Sequence, residues 1–170
     1  MKKIAIGILL GVLLVVASGA LFVAMGGMPV ATAGKPLPFE RLIAGISLHA
    51  ALKHEEDKPA PFAADEAHLL SGVAVYRAQC AVCHSLPGQP PGPIASGLFP
   101  RPPQLFKAHH DVVGVSDDPV GETYWKVKNG IRLTGMPGFA GGLTDTEMWE
   151  VSLLLQQADK LPANVQAALH

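Results

Sequence analysis

The hydrophobic pattern opens with one long run. After Lys2 and Lys3 no charged residue occurs from Ile4 to Gly34, and the most apolar part, Ile4 to Met25, is dominated by Leu, Val, Ile and Ala. As a helix rising 1.5 Å per residue, that part spans roughly 33 Å, enough to cross a hydrocarbon core. Lys2 and Lys3 then stay in the cytoplasm and the rest of the chain lies outside. Ala31-Thr32-Ala33 has the small-x-small form of a signal-peptide cleavage site. The apolar run nevertheless exceeds the about 7–15 residues usual for a signal peptide, so an uncleaved anchor is the favoured reading. Either reading exports the remainder of the chain.

Beyond the Gly34-Lys35-Pro36-Leu37-Pro38 break, Phe39, Leu42, Ile43, Ile46 and Ala50 recur at helical spacing. They predict a short amphipathic helix near 39–54, lying on the membrane surface or packed on the main domain. Glu55-Glu56-Asp57-Lys58-Pro59-Ala60-Pro61 reads as a charged, proline-rich tether. Further helices are predicted over about Ala64–Gln79, over about Gly121–Asn129 with Gly130 as its C-terminal cap, and from Thr144 onward. The last opens with a Thr-x-x-Glu147 capping box and carries Met148, Val151, Leu154 and Leu155 on its apolar face, with Trp149 on a flank. The boundaries expected are 1–33 for the anchor, 34–63 for a linker with its short helix, and 64–170 for the main domain.

A chain of 170 residues has room for one domain plus such an appendage. A net charge of −1 gives no footing to a nucleic-acid binder. Aromatics are sparse, at 6%, while 18 glycines and 15 prolines imply much loop. A core of that kind is well completed by a cofactor.

The cofactor is named by Cys80-Ala81-Val82-Cys83-His84, the C-x-x-C-H signature of c-type haem attachment. Two thiols add across the two vinyl groups of one porphyrin, the two-residue gap lets both sulfurs reach the same edge, and the next residue, a histidine, supplies a nitrogen to the iron. A thioredoxin-like pair would need a βαβ pattern, which is missing, and a zinc site would need further ligands. For the sixth ligand Met136 is the first candidate. It lies in a loop punctuated by Gly135 and Pro137, well past His84, so it can reach the other haem face. Met148 sits in a helical pattern and reads as core. His109 and His110 are the rival ligands, and their setting between Lys107 and Asp111 reads as surface.

With these residues in place, the chain resembles the class I cytochromes c, in particular the membrane-anchored single-haem cytochromes of bacterial respiratory and dehydrogenase systems. The resemblance covers about residues 64–160. It is carried by Cys80-Ala81-Val82-Cys83-His84-Ser85, by Tyr124-Trp125-Lys126-Val127-Lys128-Asn129-Gly130-Ile131 running into Gly135-Met136-Pro137, and by the loop from Ile94 to Pro103. It implies an all-α helical shell around one covalently bound haem c, with Cys80 and Cys83 as anchors and His84 and Met136 as the axial pair. It also implies that the first and last helices cross closely, with Gly72 small enough to allow it.

The function expected is transfer of one electron between membrane-associated redox partners outside the cytoplasm, from a position on the inner membrane. The chain is then a carrier and no enzyme in its own right. Two rivals stay open: a haem enzyme or gas sensor with a displaceable sixth ligand, and a fixed electron-transfer subunit of a larger oxidoreductase. The linker of about 30 residues would give the domain reach. Lys126, Lys128 and Arg132 form a basic group that could meet a propionate or an acidic partner.

Overall fold

A computed structural model describes residues 1–170. Two compact units make up the chain, Met1–Leu42 and Ile43–His170.

In the first unit helix α1 runs Lys2–Ala24, with none of its residues buried. Its mean hydropathy reaches 2.7, and it is the one helix long and apolar enough to cross a membrane. It ends where Gly26 adopts a positive φ of 78° and bonds back to the carbonyl of Val23 at 3.0 Å.

Helix α2, Glu40–Leu52, lies within the range expected for it. Phe39 stays outside, at a φ of 64°. The Glu40 carboxylate accepts from the Leu37 N–H at 2.8 Å, which closes the turn that starts the helix. Leu52 is buried, whereas Leu42, Ile43 and Ile46 are all about 60% exposed.

In the second unit, α3 (Glu66–Val75) is capped by Asp65, whose carboxylate accepts from the His68 N–H at 2.9 Å. It widens into a π-helical turn, Tyr76–Cys80, and continues as α4, Ala81–His84. The sequence pattern predicts an end near Gln79, whereas the helical path continues through the haem motif. A five-residue helix α5 (Pro93–Gly97), unforeseen in the sequence, comes next. After it stands a small antiparallel hairpin, β1 (Ala108–His109) with β2 (Val112–Val113). Then come α6 (Val120–Asn129), α7 (Asp145–Gln156) and α8 (Ala163–Leu169). The predicted helices at 121–129 and from Thr144 are therefore present. The Thr144–Glu147 capping box is complete in both directions.

The core forms where α3 and α6 meet α7, with α8 packed on α3. A Cβ on Gly72 would stand 2.5 Å from the Glu150 carbonyl oxygen, so only glycine permits α3 and α7 to approach this closely. Tyr124 of α6 stacks flat on Trp149 of α7, with ring centroids 3.9 Å apart and 7° between planes. Trp149 is 3% exposed, so it is core and not the flank residue its spacing suggested. Helix α8 inserts Val165 and Leu169, and its Ala168 carbonyl accepts from the Arg77 guanidinium at 3.0 Å.

The charged run before α3 does not behave as a free tether. Gly121 of α6 lies flush against the carbonyls of Glu55 and Lys58, where a Cβ would collide. The Lys58 ammonium sits 5.0 Å over the Tyr124 ring, and Ala60 and Phe62 pack against the core. Residues 55–62 thus form a strap on the domain.

Candidate functional site

The C-x-x-C-H residues are set on one continuous helical path. The π-turn lengthens the last stretch of α3 by a local unwinding, a feature often found at functional sites. Both Cys80 and Cys83 are half-buried free thiols. Burial pushes the Cys80 thiol up to about 12, with the neighbouring Cys83 adding to the effect, so Cys80 is held neutral. Directly after His84 the chain turns away at Ser85, whose φ of 64° and ψ of 163° fall where L-residues are strained. The hydroxyl of fully buried Tyr76 donates to the Ser85 carbonyl at 2.6 Å and fixes that turn. Burial raises the Tyr76 hydroxyl above the usual tyrosine range, keeping it a neutral donor. The edge of the Tyr76 ring meets Phe106 at 4.9 Å and 84°.

His84 is oriented from outside its own helix. Its Nδ1 lies 2.7 Å from the Pro103 carbonyl oxygen. A carbonyl can only accept, so Nδ1 carries the proton and the Nε2 lone pair is left for a metal. Burial lowers the imidazole pKa and so favours the neutral, ligating form, with the bond to Pro103 acting in the opposite direction. Beside the ring opens a cavity of about 500 Å³, lined among others by Leu86, Pro87, Gln104 and Phe106. That volume is within the about 300–1,000 Å³ of cofactor sites. Nowhere do three or more His, Cys, Asp or Glu side chains gather in a metal-holding group. A metal at His84 would therefore draw most of its ligands from a cofactor. The residues present fit a haem.

The Met136 loop is built off the end of α6. Gly130 ends that helix at a φ of 68°, where a Cβ would stand 2.5 Å from the Gly138 nitrogen and 2.8 Å from the Met136 carbonyl oxygen. The loop is pinned by Ile131 N–H to the Met136 carbonyl at 3.2 Å, by Met136 N–H to Thr134 Oγ1 at 3.1 Å, and by Thr134 Oγ1 to the Ile131 carbonyl at 2.7 Å. Phe139 N–H returns to the Val127 carbonyl at 3.0 Å. Gly135 abuts Leu98, the residue ending α5, and α5 packs on α4. Contact therefore runs unbroken from the cysteine–histidine turn to the methionine loop. Met136 is half-buried, while Met148 is 3% exposed in the core.

Other sequence candidates fall elsewhere. His109 and His110 are exposed and meet edge to face at 4.8 Å, as their surface setting implied. The basic group does not survive as a unit. Lys126 bonds Asp118 at 2.9 Å and Glu122 at 3.3 Å, and Lys128 donates to the Tyr124 hydroxyl at 2.8 Å and to Asp145 at 3.3 Å. Of the three, only Arg132 is left as an exposed cation without an ion pair. Sequence reasoning missed Tyr76, Ser85 and Pro103 as supports of the site. The aromatic four positions before Cys80 was the one available signal, since the other two act through backbone groups.

A family model described as cytochrome c oxidase, cbb3-type, subunit III matches residues 67–153, just over half of the chain. The match begins in α3 and ends in α7, taking in the cysteine–histidine turn, the cavity and the Met136 loop. No curated protein matches the chain. With an all-α domain around these features, the chain belongs to the cbb3-type cytochrome c oxidase subunit III family and is a class I c-type cytochrome, with a role in haem-based electron transfer.

Proposed function

We propose that this chain carries one electron at a time between membrane-associated redox partners outside the cytoplasm, on a single haem c. In this reading Cys80 and Cys83 would hold the group through thioethers, and His84 Nε2 and Met136 Sδ would be the protein's ligands to its iron. Residues 1–33 are the anchor, 34–63 the linking segment and 64–170 the haem domain, with Lys2 and Lys3 on the cytoplasmic side. The observation that carries the reading is the bond from His84 Nδ1–H to the Pro103 carbonyl at 2.7 Å, on a turn that carries two free thiols and with His84 lining a cavity of about 500 Å³.

When bound, the group supplies an iron that alternates between ferric and ferrous states. The chain's own residues orient and exclude. Pro103 holds the imidazole in one tautomer, Tyr76 fixes the turn beyond it, and Leu86 and Phe106 present apolar surface beside the ring. With Met136 as the second protein ligand, the group would have a higher potential than with two histidines. The pinned Met136 loop favours a closed sixth position over an open one, and so a carrier over a gas-binding or peroxidase-like site. The family name favours a second reading, in which the chain works as a fixed subunit of a membrane oxidoreductase. That changes the partner and leaves the chemistry the same.

The test is expression of the full chain with a working haem-attachment system. The expected product is coloured, one porphyrin heavier than the polypeptide, and slow to bind carbon monoxide when reduced. A colourless chain of polypeptide mass would overturn the assignment, and rapid, complete carbon monoxide binding would overturn the carrier reading. Co-purification in mild detergent separates a fixed subunit from a free carrier.

A further inference from the structure

Helix α2 has two apolar faces, and only one is covered. At 3.6 residues per turn, Leu42, Ile43, Ile46 and Ala50 share an arc of about 100°, while Leu48 and Leu52 lie on the opposite side. Leu52 is 4% exposed and Leu48 half-buried. Leu42, Ile43 and Ile46 are 58%, 63% and 62% exposed, and Phe39, just before the helix, is 73% exposed. From Ile43 onward the helix belongs to the same compact unit as the haem domain, and the strap at its C-terminal end is docked on α6.

We propose that the outer face of α2 lies in the lipid–water interface of the membrane that α1 crosses, so that the haem domain is held against the lipid surface. This rests on the reading of α1 as an uncleaved anchor. Only 15 residues separate Ala24 from Glu40, at most about 50 Å of extended chain. The outer face is thereby kept at high effective concentration beside the bilayer. Lys35 precedes the helix, Lys53 follows it on the side of the outer arc, and no carboxylate falls on that arc, a balance suited to an anionic lipid surface. The acidic run begins only at Glu55, where the chain turns back onto protein. Four apolar side chains fall short of the about 20–30 residues a side that a stable dimer uses, which argues against a second copy as the cover.

The test uses full-length holoprotein in vesicles of phosphatidylethanolamine and phosphatidylglycerol. Val12→Cys, Ile46→Cys and Ala51→Cys are made one at a time and spin-labelled after haem attachment, and collision with oxygen and with a water-soluble nickel chelate is measured on the reduced protein. Position 51 lies between the two apolar arcs. The expected result is a ratio of oxygen to nickel accessibility several-fold higher at 46 than at 51, with 12 on the lipid side as well. A lipid-exposed 12 with a nickel-accessible 46 overturns the interfacial helix and leaves the anchor standing. A nickel-accessible 12 overturns the anchor and the proposal with it. A label at 46 shielded from both probes means a protein cover and overturns the lipid assignment.

Discussion

The Tyr76 hydroxyl and the Ser85 carbonyl are joined at 2.6 Å across the whole haem-attachment turn. Tyr76 is fully buried and Ser85 is 7% exposed, so water cannot replace the donor if it is removed. Tyr76→Phe leaves a buried acceptor unpaired and a strained residue without its brace. We expect a loss of about 1–3 kcal/mol in denaturant unfolding of the holoprotein, with a shift in midpoint potential from the altered seat of His84. An unchanged potential would confine Tyr76 to a role in stability alone.

The two methionines of the second unit give opposite predictions. Met136→Ala should abolish the sulfur-to-iron charge-transfer absorption of the oxidised protein and open the reduced protein to carbon monoxide. Met148→Ala should keep the absorption and cost about 2–5 kcal/mol, because Met148 is 3% exposed in the core and its removal leaves a cavity. Survival of the band in Met136→Ala would move the sixth ligand elsewhere.

Gly72→Ala tests the helix crossing. Its added carbon meets the Glu150 carbonyl at 2.5 Å, a backbone atom that cannot swing aside. The helices must part, at a cost of about 1–3 kcal/mol by overpacking. Thermal unfolding followed at the haem band measures it.

The start of α7 predicts a specific sensitivity to acid. Hydrogen bonds from the Tyr124 hydroxyl and from Lys128 hold Asp145 below its ordinary value of 3.8. The Thr144 N–H and hydroxyl hold Glu147 below 4.5. A depressed folded value means that the stabilisation is complete above the unfolded value and is lost as pH falls through the folded one. Denaturation midpoints should therefore fall as pH drops below about 4, and Glu147→Gln should flatten that fall. Thr144→Ala should cost about 1 kcal/mol at neutral pH, the usual value of an N-cap.

Much of the proposed site was legible because its chemistry would need neighbours in sequence. Cys80, Cys83 and His84 would have to act on one macrocycle, and the Thr144–Glu147 cap and the Gly130 stop are likewise local devices. The supports were illegible for the converse reason. Pro103 serves His84 with a backbone carbonyl, which any residue carries. The lysines of α6 looked like one basic face because Asp118 and Asp145, which neutralise them, lie eight and seventeen positions away from their partners. Helix α8 is seven residues long and offers too few turns for its period to stand out. The strap from Glu55 to Phe62 has the composition of a solvated spacer. Its docking depends on the missing side chain of Gly121 and on the aromatic face of Tyr124, neither of which is encoded near it.

That strap alters how such a domain meets its partners. Were every residue between α1 and α3 loose, the domain could swing out like a ball on a cord and sample a hemisphere above its foot. With the latter part of that cord folded into the domain itself, the slack shrinks to the 15 residues between α1 and α2, and with α1 in the bilayer, as proposed, encounters would become two-dimensional. Under the proposed anchoring, electron delivery would be paced by lateral diffusion of redox partners toward the haem, and crowding in the membrane plane, more than concentration in the surrounding fluid, would set its rate.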